Sequence, residues 1–351
     1  MDEVIAALEK WMDEGKKTAL AIVVNKKGSA MRPVGAKMAI NQDSSIVGSI
    51  SGGCVENAVI VEALASMRSG KPKLLHYGVS DDTAWSVGLM CGGEIDVLLM
   101  PILEDGNGSF ERIIVDRIGR LQEERLPFML LIQISGKQFG HSCLLENSDG
   151  KMDSNAAAWV ERSLFPDLEE MMRTETSQII ETAAGQVYVD VGKPAPRLIV
   201  VGGAHVSISF VKMAKLLGYY TILIDPRKTF ATNERFPGID EIHGDWPEEG
   251  MEKIHLNSAD YVLLASHDDK LDLPAAGAAL RANATYIGML ASRTTKARRF
   301  ELLAEQGYPM EQIEKIHAPV GLNIGARTPE EIALAMLAEI TAHRYGKLSQ
   351  A

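Results

Sequence analysis

From Arg197 onward the chain alternates short apolar runs with helical segments. "RLIVV", "YYTILID", "YVLLASH", "TYIGML" and "KIHAPVG" follow one another with helix-forming stretches between them. Two parallel strands cannot be joined by a tight turn, so each such connection needs a crossover. Alternation at this spacing therefore predicts a parallel sheet covered by helices on both faces. The closing helix has a marked start, with Thr328 as N-cap, Pro329 in the first turn and Glu331 completing a capping box. Arg344 and Gly346 suit its end.

The stretch "GKPAPRLIVVGG" carries two prolines, which lack the NH a sheet needs, and reads as a linker feeding the first of these strands. A chain of 351 residues exceeds most single cores. We place the boundary near Lys193, giving an N-terminal domain of residues 1–193 and a C-terminal domain of 194–351. The N-terminal part has another texture. Residues 18–103 place short strands ("TALAIVVNKKG", "AKMAINQD", "SIVGSISGG", "EIDVLLMPIL") among glycine-rich turns and one helix. A helix at 109–125 and strands in "LPFMLLIQISG", "HSCLLENSDGK" and "GQVYVDVG" follow. This is a mixed α+β domain preceding an α/β one.

Ligands of open parallel sheets bind beyond the carboxyl ends of the strands. Here those ends carry Gly202, Gly203, Ala204 and His205, then Asp225 with Arg227, then His267 and Asp268, then Ser292 and Arg293. The first turn is an incomplete dinucleotide fingerprint, reading Gly202, Ala204 and Ser207 where G-x-G-x-x-G would stand. Asp225 stands near the usual distance, about 20 residues on, of an acid that holds a ribose hydroxyl. The pattern fits a nucleotide or pterin-nucleotide ligand on a Rossmann-like sheet, the alternative being such a scaffold without its cofactor. His205, His267 and Arg293 are candidate cofactor contacts at this edge; the bland alternative for the histidines is a helix cap and a hydrogen-bonded strand end, and as a pair they lack metal-ligand spacing.

The net charge of −11 argues against non-specific nucleic-acid or membrane binding. Cysteines at 54, 91 and 143 form neither a disulfide framework nor a zinc ribbon, which suits a reducing, cytoplasmic setting. The N-terminal "MDEVIAALEKWMDEG" is an acidic amphipathic helix with Val4, Ile5, Leu8, Trp11 and Met12 on one stripe, and not a signal peptide. No apolar run reaches the roughly 18 residues that span a bilayer.

Within "GSISGGCVEN" the thiol of Cys54 follows Gly52 and Gly53 and precedes a helix whose apolar face holds Val55, Val59, Ala63, Leu64 and Met67, with Gly70 as the stop. A helix N-terminus with free NH groups favours a thiolate. Cys91 mirrors this setting in "GLMCGGEIDVLL", and the two loops are expected to face one pocket; the bland alternative is two small residues buried beside tight turns. Cys143 fits an ordinary strand position. In "KGSAMRPVGAKM", Arg32 and Lys37 are candidates for a phosphate or carboxylate. Soft sulfur beside anion-binding groups points to a transition metal or a sulfur-bearing cofactor.

Together "GSAMRPVGAKM", "GSISGGCVE", "MCGGEIDVLL", "VVGGAH", "YIGMLASR" and "PVGLNIGARTPEEIALAMLAEI" resemble the XdhC/CoxI family of xanthine dehydrogenase accessory factors. The likeness covers nearly the whole chain, least clearly residues 105–190. The family pattern has glycine where this chain has Ala204 and aspartate where it has Asn323, so nucleotide contacts are not carried over at those two positions. The resemblance implies a molybdenum-cofactor chaperone without turnover of its own. It would bind the cofactor, as free pterin or in a nucleotide form, protect it during sulfuration by a cysteine desulfurase, and deliver it to an apo molybdenum hydroxylase of the xanthine dehydrogenase type. It also implies that Cys54 contacts molybdenum and that Arg32 and Lys37 hold the pterin phosphate. Two other readings stay open. One is an NAD(P)-dependent oxidoreductase using Gly202 and Asp225; the other is an assembly scaffold that never touches the cofactor. A symmetric homodimer is the default assembly.

Overall fold

The computed structural model describes residues 2–29, 32–78, 93–104, 110–148, 151–152, 160 and 164–348. The chain divides into two compact units, Met1–Pro194 and Ala195–Ala351.

The first unit contains one topology twice. Helix α1 (Asp2–Asp13) leads to strands β1 (Thr18–Lys27), β2 (Lys37–Asn41) and β3 (Ile46–Gly48), then helix α2 (Glu56–Ser69) and strands β4 (Lys73–Tyr77) and β5 (Glu94–Pro101). The second half repeats this order with α3 (Arg112–Glu123), β6 (Phe128–Gln133), β7 (Ser142–Ser148), β8 (Lys151–Met152), α4 (Phe165–Thr174), β9 (Gln178–Thr182) and β10 (Gly185–Gly192). The sheets run β3-β2-β1-β5-β4 and β8-β7-β6-β10-β9, so they correspond strand for strand, with antiparallel pairing throughout.

Strand side chains alternate between faces. Leu20, Ile22 and Val24 of β1, Leu98 and Met100 of β5, Phe128, Leu130 and Ile132 of β6 and Tyr188 of β10 form one shared core with α1 and α3. The predicted stripe Val4, Ile5, Leu8, Trp11 and Met12 is buried there. The opposite face of the first sheet (Ala19, Ala21, Val23, Met38, Ile40) is covered by α2 through Val59, Ala63 and Met67. That of the second sheet (Met129, Leu131, Leu145, Val187, Val189) is covered by α4 through Leu168, Met171 and Met172. Cys143 is buried in β7 opposite Leu131, as an ordinary strand residue.

The pairing register decides which connections share an edge. Ile22 lies opposite Lys37, Met38 opposite Gly48, Lys27 opposite Glu94 and Tyr77 opposite Ile95. β1, β3 and β4 therefore end, and β2 and β5 begin, at one edge of the sheet. The connections bearing Arg32 and Cys54 leave from that edge, as do the two ends of the 78–93 connection. Cys91 lies outside the described residues.

The second unit is the parallel sheet that the alternation predicts. It contains β11 (Arg197–Val201), α5 (His205–Leu216), β12 (Tyr220–Ile224), β13 (Glu241–His243), α6 (Pro247–Lys253), β14 (Tyr261–Leu264), α7 (Asp269–Arg281), β15 (Tyr286–Met289), α8 (Arg293–Glu305), α9 (Met310–Ile313), β16 (Ile316–His317) and α10 (Pro329–Arg344). The order β13-β12-β11-β14-β15-β16 is doubly wound, and the winding reverses between β11 and β14. Helices α6, α7 and α8 pack on one face, α5 and α10 on the other. The capping box at Thr328 and Glu331 is formed.

Several elements differ from expectation. "SIVGSISGG" yields only three strand residues, because Gly48 turns out of the sheet with φ 85° and a Cβ there would meet the Lys37 carbonyl oxygen at 2.4 Å. "KIHAPVG" pairs over Ile316–His317 alone, since Pro319 has no NH to offer. The sequence pattern gives no sign of α4, β9 or β13. β9 and β13 are edge strands, with side chains that are largely partly exposed rather than cleanly alternating.

Candidate functional site

The Cys54 loop is built around Glu56. This residue opens α2, and its carboxylate folds back to accept hydrogen bonds from Ser49 Oγ (2.8 Å) and from the NH groups of Ser51 (2.9 Å), Gly52 (3.1 Å) and Gly53 (3.0 Å). The Ser51 hydroxyl also donates to Glu56, and its oxygen accepts the NH groups of Cys54 (3.0 Å) and Val55 (3.1 Å). Sequence reasoning expects these loop NH groups to be free for an anion; the structure corrects this, because Glu56 and Ser51 already occupy them. Burial works to raise the Glu56 pKa, but the donors from Ser51, Ser49 and the loop backbone prevail and bring it down to about 2.

With the NH groups used, the thiol is the chemistry the loop has left. Cys54 is half-buried and free of any disulfide, its base resting on the Val55 and Val59 cluster. Gly52 and Gly53 are exposed with φ of 85° and 115°, and a Cβ at Gly53 would meet nothing within 4 Å. A non-glycine residue would be strained in this backbone. α2 begins just after the thiol and stops at Gly70, which has φ 67°.

Arg32 is exposed at the same edge, and its Nε donates to the Ser49 carbonyl (3.2 Å), pinning one loop to the other. Lys37 does not join it. Its ammonium is buried between the sheets, 2.9 Å from Asp190, and donates to the Gly35 carbonyl (3.1 Å). Tyr188 donates to the same carboxylate (3.3 Å). Lys37 is thus committed to a buried pair linking β2 of the first repeat to β10 of the second, away from any exposed ligand.

In the second unit, Gly202, Gly203, Asp225 and His267 are drawn to one edge. Gly202 has φ 103°, and a Cβ on it would lie 2.4 Å from Ser266 Cα, so the turns after β11 and β14 touch only because it is glycine. Asp225 is fully buried. It accepts the Gly203 NH (2.7 Å), the Arg227 NH (2.9 Å) and the Arg227 side chain at Nε (2.9 Å) and Nη2 (2.7 Å). Burial would raise its pKa, but these donors hold it below the ordinary aspartate value. Arg227 also lies 4.2 Å from the centre of the Phe230 ring, and a Cβ on Gly203 would meet the Phe230 carbonyl at 2.6 Å. Ser207, in place of the third fingerprint glycine, donates to the Gly202 carbonyl (2.7 Å). The groups that would grip a ribose and pyrophosphate are therefore turned onto one another.

Beside them, beyond the carboxyl ends of β14 and β15, a cleft of about 770 Å³ is lined by Arg227, His267, Asp268, Lys270, Ser292 and Arg298, among others. His267 is exposed at φ 60° on its rim, and α7 and α8 both point their amino ends toward it. Arg293, the first residue of α8, is exposed at this edge without lining the cleft, and His205 is exposed at the start of α5. Arg298 belongs to the basic run "SRTTKARR", Ser292 to Arg299, in which the sequence offers either a local anion site or a solvated helix face; sequence reasoning misses Lys270, whose only signal is its place in a helix that follows a strand. Among the described residues, no group of three His, Cys, Asp or Glu side chains converges as a metal site. No helix among them is long and apolar enough to cross a membrane.

The second unit is a Rossmann domain, and the first carries a glycine-flanked thiol on a duplicated α+β body. Residues 198–340 match the XdhC Rossmann domain, and residues 11–78 match the XdhC and CoxI family. The chain belongs to the XdhC/CoxI family. It is 27% identical over 343 residues to a probable xanthine dehydrogenase subunit of Bacillus subtilis, spanning 96% of each protein. It is 28% identical over 332 residues to the Molybdenum cofactor insertion chaperone PaoD of Escherichia coli, covering 94% of this chain and 84% of that one. A crystal structure of a Bacillus halodurans protein solved under the name xanthine dehydrogenase superposes with a TM-score of 0.79 at 24% identity, over 98% of this chain and 96% of the other. That likeness is one of fold.

Proposed function

We propose that this protein takes up the molybdenum cofactor as cargo, shields it while its terminal sulfido ligand is installed, and hands it to an apo molybdenum hydroxylase of the xanthine dehydrogenase type. The relatives support a role in molybdenum-cofactor maturation. The observation that carries the reading is the Cys54 loop, whose NH groups from Ser51 to Val55 are spoken for while Cys54 itself stays half-buried behind the open Gly53. A thiolate is a soft ligand suited to a molybdenum centre. Arg32, exposed at the same edge, is the cation for the pterin phosphate in place of Lys37. In the second unit the cleft offers Lys270 to a phosphoryl group, in the free pterin or in its nucleotide form, while Arg227 and Arg298 on its wall are held by Asp225 and Asp269. The sulfur comes from a cysteine desulfurase, the protein acts as a homodimer in the cytoplasm, and it catalyses no turnover of its own.

The test is anaerobic reconstitution with molybdopterin, with retained pterin read by fluorescence after oxidation. Wild type retains it through gel filtration, Cys54→Ser loses most of it, and Lys37→Met, provided it folds, keeps it. Full retention by Cys54→Ser overturns the ligand role of the thiol. The oxidoreductase reading asks for NADH binding by the second unit, against which the engagement of Asp225 with Gly203 and Arg227 already speaks.

A further inference from the structure

At the amino end of β15, on the opposite edge of the second sheet from the basic cleft, lies a cavity of about 400 Å³ that plays no part in the cargo reading. His317, His343, Tyr286, Thr285, Gln312 and Lys315 line it with a few aliphatic side chains. Three rings meet there. Tyr286 stacks on His317 with centroids 4.6 Å apart, lies 5.1 Å from His343, and the two imidazoles are 5.6 Å apart at 82°.

Each imidazole has one nitrogen fixed from behind. His317 Nδ1 is 3.1 Å from Glu339, a buried carboxylate that also accepts the Tyr286 hydroxyl (2.7 Å) and the Gly321 NH (2.7 Å). Glu339 faces Nδ1, so in the neutral imidazole of His317 the proton sits on Nδ1 and Nε2 is the nitrogen left to ligate. His343 Nε2 is 2.9 Å from the Thr285 carbonyl. A carbonyl can only accept, so the proton sits on Nε2 and Nδ1 is bare.

A histidine that gives one ring NH to a carboxylate or a backbone carbonyl is the usual arrangement behind a metal ligand, because it sets the tautomer and raises the basicity of the other nitrogen. Two such imidazoles, 5.6 Å apart on one cavity wall, are spaced as two ligands of one ion would be. We propose that His317 Nε2 and His343 Nδ1 form a two-histidine site for a divalent ion of the zinc, nickel or copper class, which imidazole suits. Solvent in the cavity completes the coordination, and Glu339 and the Thr285 carbonyl position the ligands without touching the ion. The site is separate from the thiol loop and does not rest on the cargo reading.

Zinc ion alone, titrated by calorimetry into the full chain, tests it. Other histidines and the cysteines add background, so Cys54→Ser and His267→Ala serve as controls. We expect one zinc equivalent that both controls keep. His317→Gln and His343→Gln each weaken it at least tenfold, and Glu339→Gln weakens it about tenfold by releasing His317. A zinc-dependent rise in the unfolding midpoint accompanies binding in wild type and vanishes in His317→Gln. Because His317 is partly exposed, that variant keeps the test open should His343→Gln or Glu339→Gln fail to fold. Undiminished zinc affinity in a folded His317→Gln, or no zinc equivalent in wild type, overturns the assignment.

Discussion

Glu56 shows how one side chain can decide what a loop offers its surroundings. Its carboxylate occupies the NH groups that an anion would otherwise seek, and so turns an anion nest into a thiol platform. Replacing it by glutamine removes the charge that these donors favour and should destabilise the protein by about 2 kcal/mol at pH 7, within the range for hydrogen bonds to a charged group. The pH dependence has a defined sign. The folded pKa of about 2 lies below the ordinary value of 4.5, so the carboxylate stabilises the fold above pH 4.5 and loses that contribution as pH falls toward 2. Denaturant melts of wild type and Glu56→Gln should therefore differ most at neutral pH and converge near pH 2. A constant gap across that range would show that the loop does not depend on the ionised form. The position of Cys54 at the head of α2 is legible in the sequence. The direction in which Glu56 points is not, because a glutamate in a first helical turn ordinarily does no more than meet the helix dipole.

At the level of elements, the buried Lys37–Asp190 pair joins the two repeats, and its burial (7% and 2% side-chain exposure) makes it sensitive to loss of one partner. Lys37→Ala or Asp190→Ala leaves an uncompensated charge between the sheets and should cost about 3–5 kcal/mol. Replacing both by Met and Leu should recover most of that, because the site then holds apolar surface and no stranded charge. Urea midpoints of the singles and the double check this; a double as unstable as the singles together would show that the pair is not the unit that matters. Sequence reasoning places Lys37 on a ligand since a lysine following glycines in a loop looks exposed, and its partner stands 153 positions away. The duplication stays hidden for a related reason. The two halves share strand order and burial alternation, but the glycine-cysteine loop of the first has no counterpart in the sequence of the second. By contrast β11, β12, β14 and β15 are plain in sequence, because strands buried on both faces appear as unbroken apolar runs.

Across the whole molecule, the five apolar cores among the described residues each draw on one unit only, three in Met1–Pro194 and two in Ala195–Ala351. A unit with its own cores, and with its sheets complete within itself, carries what it needs to fold alone. The second unit also has its own capped closing helix and a doubly wound sheet of six strands. Fragments 1–194 and 195–351, expressed separately, should each give a cooperative thermal transition by circular dichroism. Proteolysis of the intact chain should cut first in the proline-containing stretch that joins β10 to β11 or in an exposed loop, and leave two resistant cores. If the N-terminal fragment melts without cooperativity while the C-terminal one folds, the duplicated body depends on its neighbour and the division does not mark independent folding units. If both fold, the thiol loop and the two-histidine cavity can each be assayed on its own unit, where the residues of the other cannot contribute.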